Sequence, residues 1–384
     1  MGKLPRSGYA RNQNHQLRSH PPQLATGTSQ PADKLESMTP DWLLVETLGA
    51  EPVVVTQGQQ TKNLVPITAF LRRNQNLMAI QSAIGETVRS GQALTSITPK
   101  SDRVIRTEVV QMTDGRIHGV HVWIGPTDVQ PPERVVPGPL KWDLSNGVAT
   151  DTPESLFNSG LDPNTEATHG RAFAEDLPSR DLNPDEARVL TNIINPESGQ
   201  TYCNTWDVND FQGNPITVGF VARILQETDE QTGKELLICR AMNWRSTRED
   251  TPAPATNLAQ AILNSLAQPG VHRAVVEMNH WTLLKWLDDP CPFFDWRAGE
   301  ADNPVVHPDE ATELAIMATE FIGGPTARVL RLRANGGGWT LVHVTTHRVQ
   351  VGANTFAALL SLRLPTDSER AEAETQIATD LAQS

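Results

Sequence analysis

ARVLRLRANGGGWTLVHVTTHRVQVGANTFAALLSLRL, residues 327–364, reads as three consecutive antiparallel strands. The apolar and β-branched runs at 327–334, 339–351 and 355–364 have strand length, and Gly336-Gly337-Gly338 separates the first two. No helix pattern follows the glycines and no GxxxxGK[ST] phrase contains them, so they predict a hairpin turn rather than a phosphate loop. Just upstream, HPDEATELAIM (307–317) opens a helix. His307 takes the N-cap, and Pro308 the first helical position, where its missing N–H costs nothing. Asp309 and Glu310 complement the positive end of the helix dipole.

The same phrase occurs earlier as NPDEARVLTNI (183–193), with Asn183, Pro184, Asp185 and Glu186 in the matching places. It too precedes a sheet pattern: TYCNTWDVND (201–210), an FQGNP turn, ITVGFVARIL (216–225) and ELLICRAMNW (235–244). A helix-then-strands unit that recurs makes the chain a tandem array of small modules. The acids of the phrase are expected to serve the helix starts and to carry no chemistry of their own.

Nearer the N-terminus, DWLLVETL (41–48) and EPVVVTQG (51–58) read as strands, and Leu77, Ile80, Ile84 and Val88 make one helical stripe ended at Ser90-Gly91. VIRTEVVQM (104–112) and RIHGVHVWIG (116–125) flank a Thr-Asp-Gly turn, a hairpin signal. Prolines between 126 and 139 mark one boundary, and STREDTPAPAT (246–256) marks another. After that linker, NLAQAILNSLAQ (257–268) reads as a helix and HRAVVEM (272–278) as a strand. Residues 1–37 carry five basic and two acidic residues and no hydrophobic period, so they are expected to be disordered. Met38 is an alternative translation start. The resulting division is a tail at 1–37, modules at 38–135 and 136–248, a linker at 249–256, and a module with a C-terminal helix at 257–384. The fold class is α+β: three tandem modules, each a five- to six-stranded antiparallel sheet with flanking helices.

Composition limits the function classes. The 384-residue chain has a net charge of −13, which argues against a general nucleic-acid binder. It shows neither a membrane-length apolar run nor a signal-peptide pattern. Cys203, Cys239 and Cys291 have no CxxC spacing. Together these predict a cytoplasmic location without a membrane partner.

The order of strand, strand, helices, strand, strand, strand resembles the PAS fold. The match is closest at 331–374, where a Gly-Gly-Trp turn enters a long strand and a last strand leads into a charged helix. TDGRIHGVHVWIGP resembles a related ending. Residues 38–365 are similar to an uncharacterised actinobacterial, mycobacterial-type family built as tandem PAS–GAF–PAS domains. The phrases DWLLVETLG, KNLVPITAFLRR, ITPKSDRVIRTE, DGRIHGVHVW, DTPESLFNSG, GRAFAEDLP and GNPITVGFVAR carry that resemblance. The strand count leaves the middle module open between GAF and PAS. The resemblance implies small-ligand or protein-partner binding and conformational signalling. Neither the Asn-Cys-Arg phrase of flavin photosensors nor the Asn-Lys-Phe-Asp-Glu motif of cyclic-nucleotide GAF domains is present.

Trp339, His343 and His347 share one strand face and are the cofactor-site candidates, with sheet packing as the alternative role. His118 and His121 fall on opposite faces and predict no shared metal. Trp281, Trp286 and Trp296 cluster in an irregular region and suit either a core or a pocket wall. Cys203 and Cys239 read as small buried hydrophobes rather than redox sensors. Asp288-Asp289 before Pro290 reads as a turn. No catalytic set or metal-ligand spacing stands out, so the expectation is a non-enzymatic sensory or scaffolding protein with a protein partner, a possible small-molecule ligand and no assigned cofactor. The alternatives are a hydrolase-type enzyme and a structural adaptor.

Overall fold

The computed structural model describes residues 40–98, 100, 102–176, 186–229, 232–247, 258–278, 280–297 and 304–383. The expected tail 1–37, Met38 and the linker 249–256 lie outside the described residues, as do Asn183, Pro184 and Asp185 of the first repeat phrase. Thr39–Ser384 clusters as one unit built on three antiparallel sheets.

The first sheet contains β1 (Leu43–Glu46), β2 (Val53–Gln57), β3 (Gln60–Pro66), β4 (Leu94–Ile97), β5 (Arg103–Gln111) and β6 (Ile117–Pro126). Its order is β3-β2-β1-β6-β5-β4. A short α1 (Ile67–Phe70) and the longer α2 (Leu77–Ser90) cover one face. Ile80 and Ile84 of the expected stripe are buried against Val45, Val120 and Val122. Gly91 ends α2 in the left-handed conformation, φ 66°, its N–H returning to Thr87 O.

The second sheet contains β7 (Gly138–Asp143), β8 (Val148–Thr150), β9 (Arg171–Ala172), β10 (Thr201–Asn209), β11 (Pro215–Thr228) and β12 (Glu235–Arg245), in the order β10-β11-β12-β7-β8-β9. Helices α3 (Pro153–Asn158), α4 (Phe173–Asp176) and α5 (Glu186–Ile194) lie between its strands in sequence. Thr152 and Ser155 form a reciprocal capping box at α3.

The third sheet follows α6 (Leu258–Ser265). It contains β13 (His272–Glu277), β14 (Thr282–Trp286), β15 (Thr326–Arg333), β16 (Trp339–Gln350) and β17 (Phe356–Arg363), in the order β14-β13-β17-β16-β15. α7 (Ala311–Glu320) precedes β15, and α8 (Asp367–Gln383) follows β17. The three glycines of the β15–β16 turn all have positive φ, as the hairpin reading requires. In all three sheets the module's first strand lies between its second and its last.

These modules are fused through their cores. Leu44, Val55 and Val110 of the first sheet pack face to face with Val221, Met242 and Trp244 of the second. Two glycines allow that approach: a Cβ on Gly119 would meet Met242 Cε at 2.9 Å, and one on Gly219 would meet Thr61 Oγ1 at 2.7 Å. Arg223 reaches across the same junction to Glu46 with bonds of 2.8 and 3.0 Å. On the other side, Leu284 and Val275 of the third sheet join the core formed by Val189, Ile193 and Trp206 of the second module.

The repeat phrase does more than start helices. At the second copy His307 Nδ1 accepts from Asp309 N at 3.2 Å, and Pro308–Glu310 forms a 3₁₀ turn before α7. Glu310 receives Arg331 Nε at 2.7 Å. At the first copy, Glu186 receives Lys285 Nζ at 2.5 Å from β14, so the equivalent acid ties the second module to the third. Both carboxylates are buried, where the cationic partner offsets their desolvation.

His118 and His121 are buried at the junction of the first two modules. His118 Nδ1 bonds Ala241 O at 2.9 Å, whereas neither ring nitrogen of His121 has a partner among the described residues. Burial lowers the pKa of His118 to about 4 and that of His121 to about 3. The unfolded chain therefore binds more protons as pH falls below the ordinary value of 6.5, and folded stability drops through that window toward 4. His121→Phe is expected to flatten this acid dependence between about pH 6.5 and 4 in urea-midpoint measurements. An unchanged slope would assign the dependence elsewhere.

Candidate ligand cavity

A cavity of ≈ 660 Å³ lies against the inner face of the third sheet. That volume is in the range of sites for drug-sized molecules, about 300–1,000 Å³. Its floor is apolar: Leu330, Leu332, Val344, Leu360 and Leu362 point the same way because strand side chains alternate. Phe294, Trp296, Trp281 and Leu314 of α7 form a mostly aromatic wall. Trp296 stands edge-on to Trp286, with ring centroids 5.7 Å apart. Trp281 adopts φ 56°, a left-handed conformation costly for a bulky side chain and characteristic of functional clamps.

Another part of the wall belongs to the middle module. The β7–β8 turn contributes Asn146 and Gly147, and β9 contributes Arg171 and Ala172. The segment Arg171–Asp176 is therefore shared: Ala172 and Ala174 pack on the third module's core, while Phe173 is buried in that of the second. Arg171 is 3% exposed and donates to Asp151 Oδ2 at 2.7 Å, to Asp176 Oδ1 and to Glu175 O at 2.7 Å. Arg297 of the third module reaches back to Glu175 Oε1 at 2.6 Å. Burial, reinforced by the neighbouring Asp151 charge, holds the Asp176 pKa well above the usual carboxylate range.

Asp176 also borders a smaller cavity of ≈ 70 Å³ inside the middle module, beside Trp142, Tyr202 and Trp206. Trp142 Nε1 donates to Asp176 Oδ2. One buried ionic segment thus separates two cavities in adjacent modules.

The sequence candidates fall elsewhere. Trp339, His343 and His347 do share a strand face, but it is opposite the cavity, because the buried residues of β16 are Val342, Val344 and Thr346. Trp339 stands edge-on to His307, with ring centroids 4.6 Å apart, and lies under Arg333. His343 Nε2 is 3.5 Å from Glu369 of α8, and His347 is exposed. The tryptophan cluster was the better signal, since Trp281 and Trp296 line the cavity while Trp286 backs it. Burial pushes all three thiols up to about 12, consistent with the reading of Cys203 and Cys239 as packed side chains. Asp288 forms a two-bond pair with Arg273, 2.7 Å each, and makes no approach to the cavity lining.

Three family models match consecutive parts of the chain: Rv3651-like, N-terminal, over 41–133; Rv3651-like, middle domain, over 136–246; and Rv3651-like, C-terminal domain, over 256–373. The chain belongs to the Rv3651-like family. A crystal structure of an uncharacterized Mycobacterium tuberculosis protein is 55% identical, covering 87% of this chain and 99% of that one at a TM-score of 0.80. The expected mycobacterial-type family of three tandem domains is thereby borne out. No curated protein matches the chain. A sensory box histidine kinase/response regulator from Burkholderia thailandensis aligns at 15% identity over 34% of this chain and 92% of that one, with a TM-score of 0.22. The periplasmic sensory domain of the Campylobacter jejuni chemoreceptor Tlp1 aligns at 14% over 47% and 56%, with a TM-score of 0.19. At such scores neither alignment carries an argument. Among the described residues no helix is long and apolar enough to cross a membrane.

Proposed function

We propose that this Rv3651-like chain is a non-enzymatic, ligand-responsive protein of PAS/GAF type, acting in the cytoplasm through a protein partner. The observation that carries the reading is the third-module cavity, whose far wall includes Arg171 and Ala172, the start of its neighbour's Arg171–Asp176 segment. The order strand, strand, helix, strand, strand, strand in that module supports the PAS label. A ligand in the cavity presses on Ala172 and Arg171, and Phe173 and Asp176 pass the displacement into the middle module's core. The rigid sheet-to-sheet junction then presents the first two modules to the partner as one body.

The test is mass spectrometry of small molecules released on denaturing the purified full chain, run beside Leu314→Trp, which fills the cavity from α7. The expected result is an organic molecule released by the wild type and depleted at least roughly tenfold in the variant, since loss of a buried ligand's contacts exceeds the 1.4 kcal/mol equivalent to tenfold. Ligand binding is also expected to slow amide exchange across 171–176. A chain that releases nothing, and whose stability responds to no compound in a broad screen, overturns the proposal.

A further inference from the structure

We infer that the third-module cavity takes an organic acid, an apolar body carrying one anionic head group; this rests on the ligand-binding reading above and narrows it. The chain has 45 acidic residues against 32 basic ones, yet among the described residues no Asp or Glu lines the cavity, whereas Arg171, His280 and Arg297 do. The carboxylates that balance these groups stand behind them, outside the lining. Asp151 and Asp176 hold Arg171, Glu277 approaches His280 Nδ1 at 3.1 Å, and Glu175 takes Arg297 Nε at 2.6 Å. Among the described residues, the ionisable side chains of the lining are therefore all basic.

Arg297 is the head-group anchor. Its guanidinium carbon sits 4.1 Å from the centroid of the Trp296 ring, and its Nε is committed to Glu175. Its two Nη groups have no hydrogen-bond partner among the described residues. A stacked, tethered guanidinium with two open donors matches the two oxygens of a carboxylate. The side chain is 59% exposed, so the anion stays at the wet rim and avoids the cost of burying a charge. The apolar body extends over Leu330, Leu332 and Leu360, where it displaces no bound polar group. An organic cation finds no carboxylate among the described residues of this lining.

Three probes with one tail separate the contributions: decanoate, decanol and decylammonium, titrated calorimetrically into the full-length chain near neutral pH, below their micelle concentrations. Decanoate is expected to bind roughly tenfold or more tightly than decanol, in keeping with a charge-assisted pair, and decylammonium most weakly. Arg297→Gln should erase the decanoate advantage while leaving decanol unchanged, which a merely structural role for the exposed Arg297 would not do. Added salt should reduce the advantage. Leu314→Trp should abolish binding of all three. Equal affinity for the three probes overturns the organic-acid inference and leaves the cavity reading standing. Decanoate binding that survives Leu314→Trp also overturns the inference, because the anion then sits elsewhere. No binding by any probe overturns both.

Discussion

Arg171→Met is expected to destabilise the chain by about 3–5 kcal/mol, the loss seen when one partner of a buried ion pair is removed. Methionine keeps most of the volume, so the effect isolates charge. Asp151, 2% exposed, would be left as an uncompensated carboxylate beside Asp176, and the backbone of Glu175 would lose its donor. A urea titration followed by intrinsic fluorescence measures the loss. Adding Asp151→Asn to Arg171→Met is expected to restore part of it, because the stranded charge is gone. A double variant as unstable as the single one would contradict the electrostatic account.

Asp176 supplies the companion pH signature. Its folded pKa is raised, so the folded chain binds more protons than the unfolded chain above the ordinary value of 3.8. Stability from this group is fully present below that pH and is lost as pH rises toward the folded pKa. Asp176→Asn mimics the protonated form and should remove that decline, opposite in sign to the acid sensitivity of His118 and His121.

The second large effect is expected at Trp244, which is fully buried between the first two sheets. Trp244→Ala should cost about 3–5 kcal/mol through lost burial and the cavity left behind. It also removes the 3.2 Å bond from Nε1 to Thr61 Oγ1. Because the indole belongs to both modules, the loss should appear as weakened docking. Trypsin cleavage after Arg134, in the segment pinned by the 2.8 Å bond from Trp42 Nε1 to Pro132 O, should rise sharply. A variant that lost stability without any gain in cleavage there would place Trp244 in the second module's core alone.

The strands read most easily in the sequence were those with continuous apolar patterns. β10, β16 and β17 fall within the runs expected for them, and β5, β6, β11, β12 and β15 overlap theirs with ends shifted by one to three residues. β3 and β4 were illegible for physical reasons. QTKNLVP is half-buried almost throughout and lacks an alternating face, and LTSI is a four-residue edge strand. Both are held by pairing with a neighbour, which local pattern does not encode. β9, only two residues long, owes its place to the ion pairs of Arg171.

The candidate site was legible only in its aromatic wall. Periodicity correctly grouped Trp339, His343 and His347 on one face of β16 but could not say which face was covered. That depends on α7 and the middle module's β8–β9 region packing against Val344 and its neighbours, contacts far apart in sequence. The buried Asp151–Arg171–Asp176 cluster left no trace either, since its members are scattered over loops and short elements.

By itself the amino-acid sequence determined the modular plan: three antiparallel sheets, their main hairpins, and helices opened by Pro and acidic residues. These follow from interactions within a few residues, where side-chain alternation, turn chemistry and helix capping act. Only the tertiary structure decided that the modules share cores, that Glu186 bridges to Lys285 and that Arg171 lies between two cavities. Those features arise from burial of one module's surface by another, and burial is a property of the assembled chain.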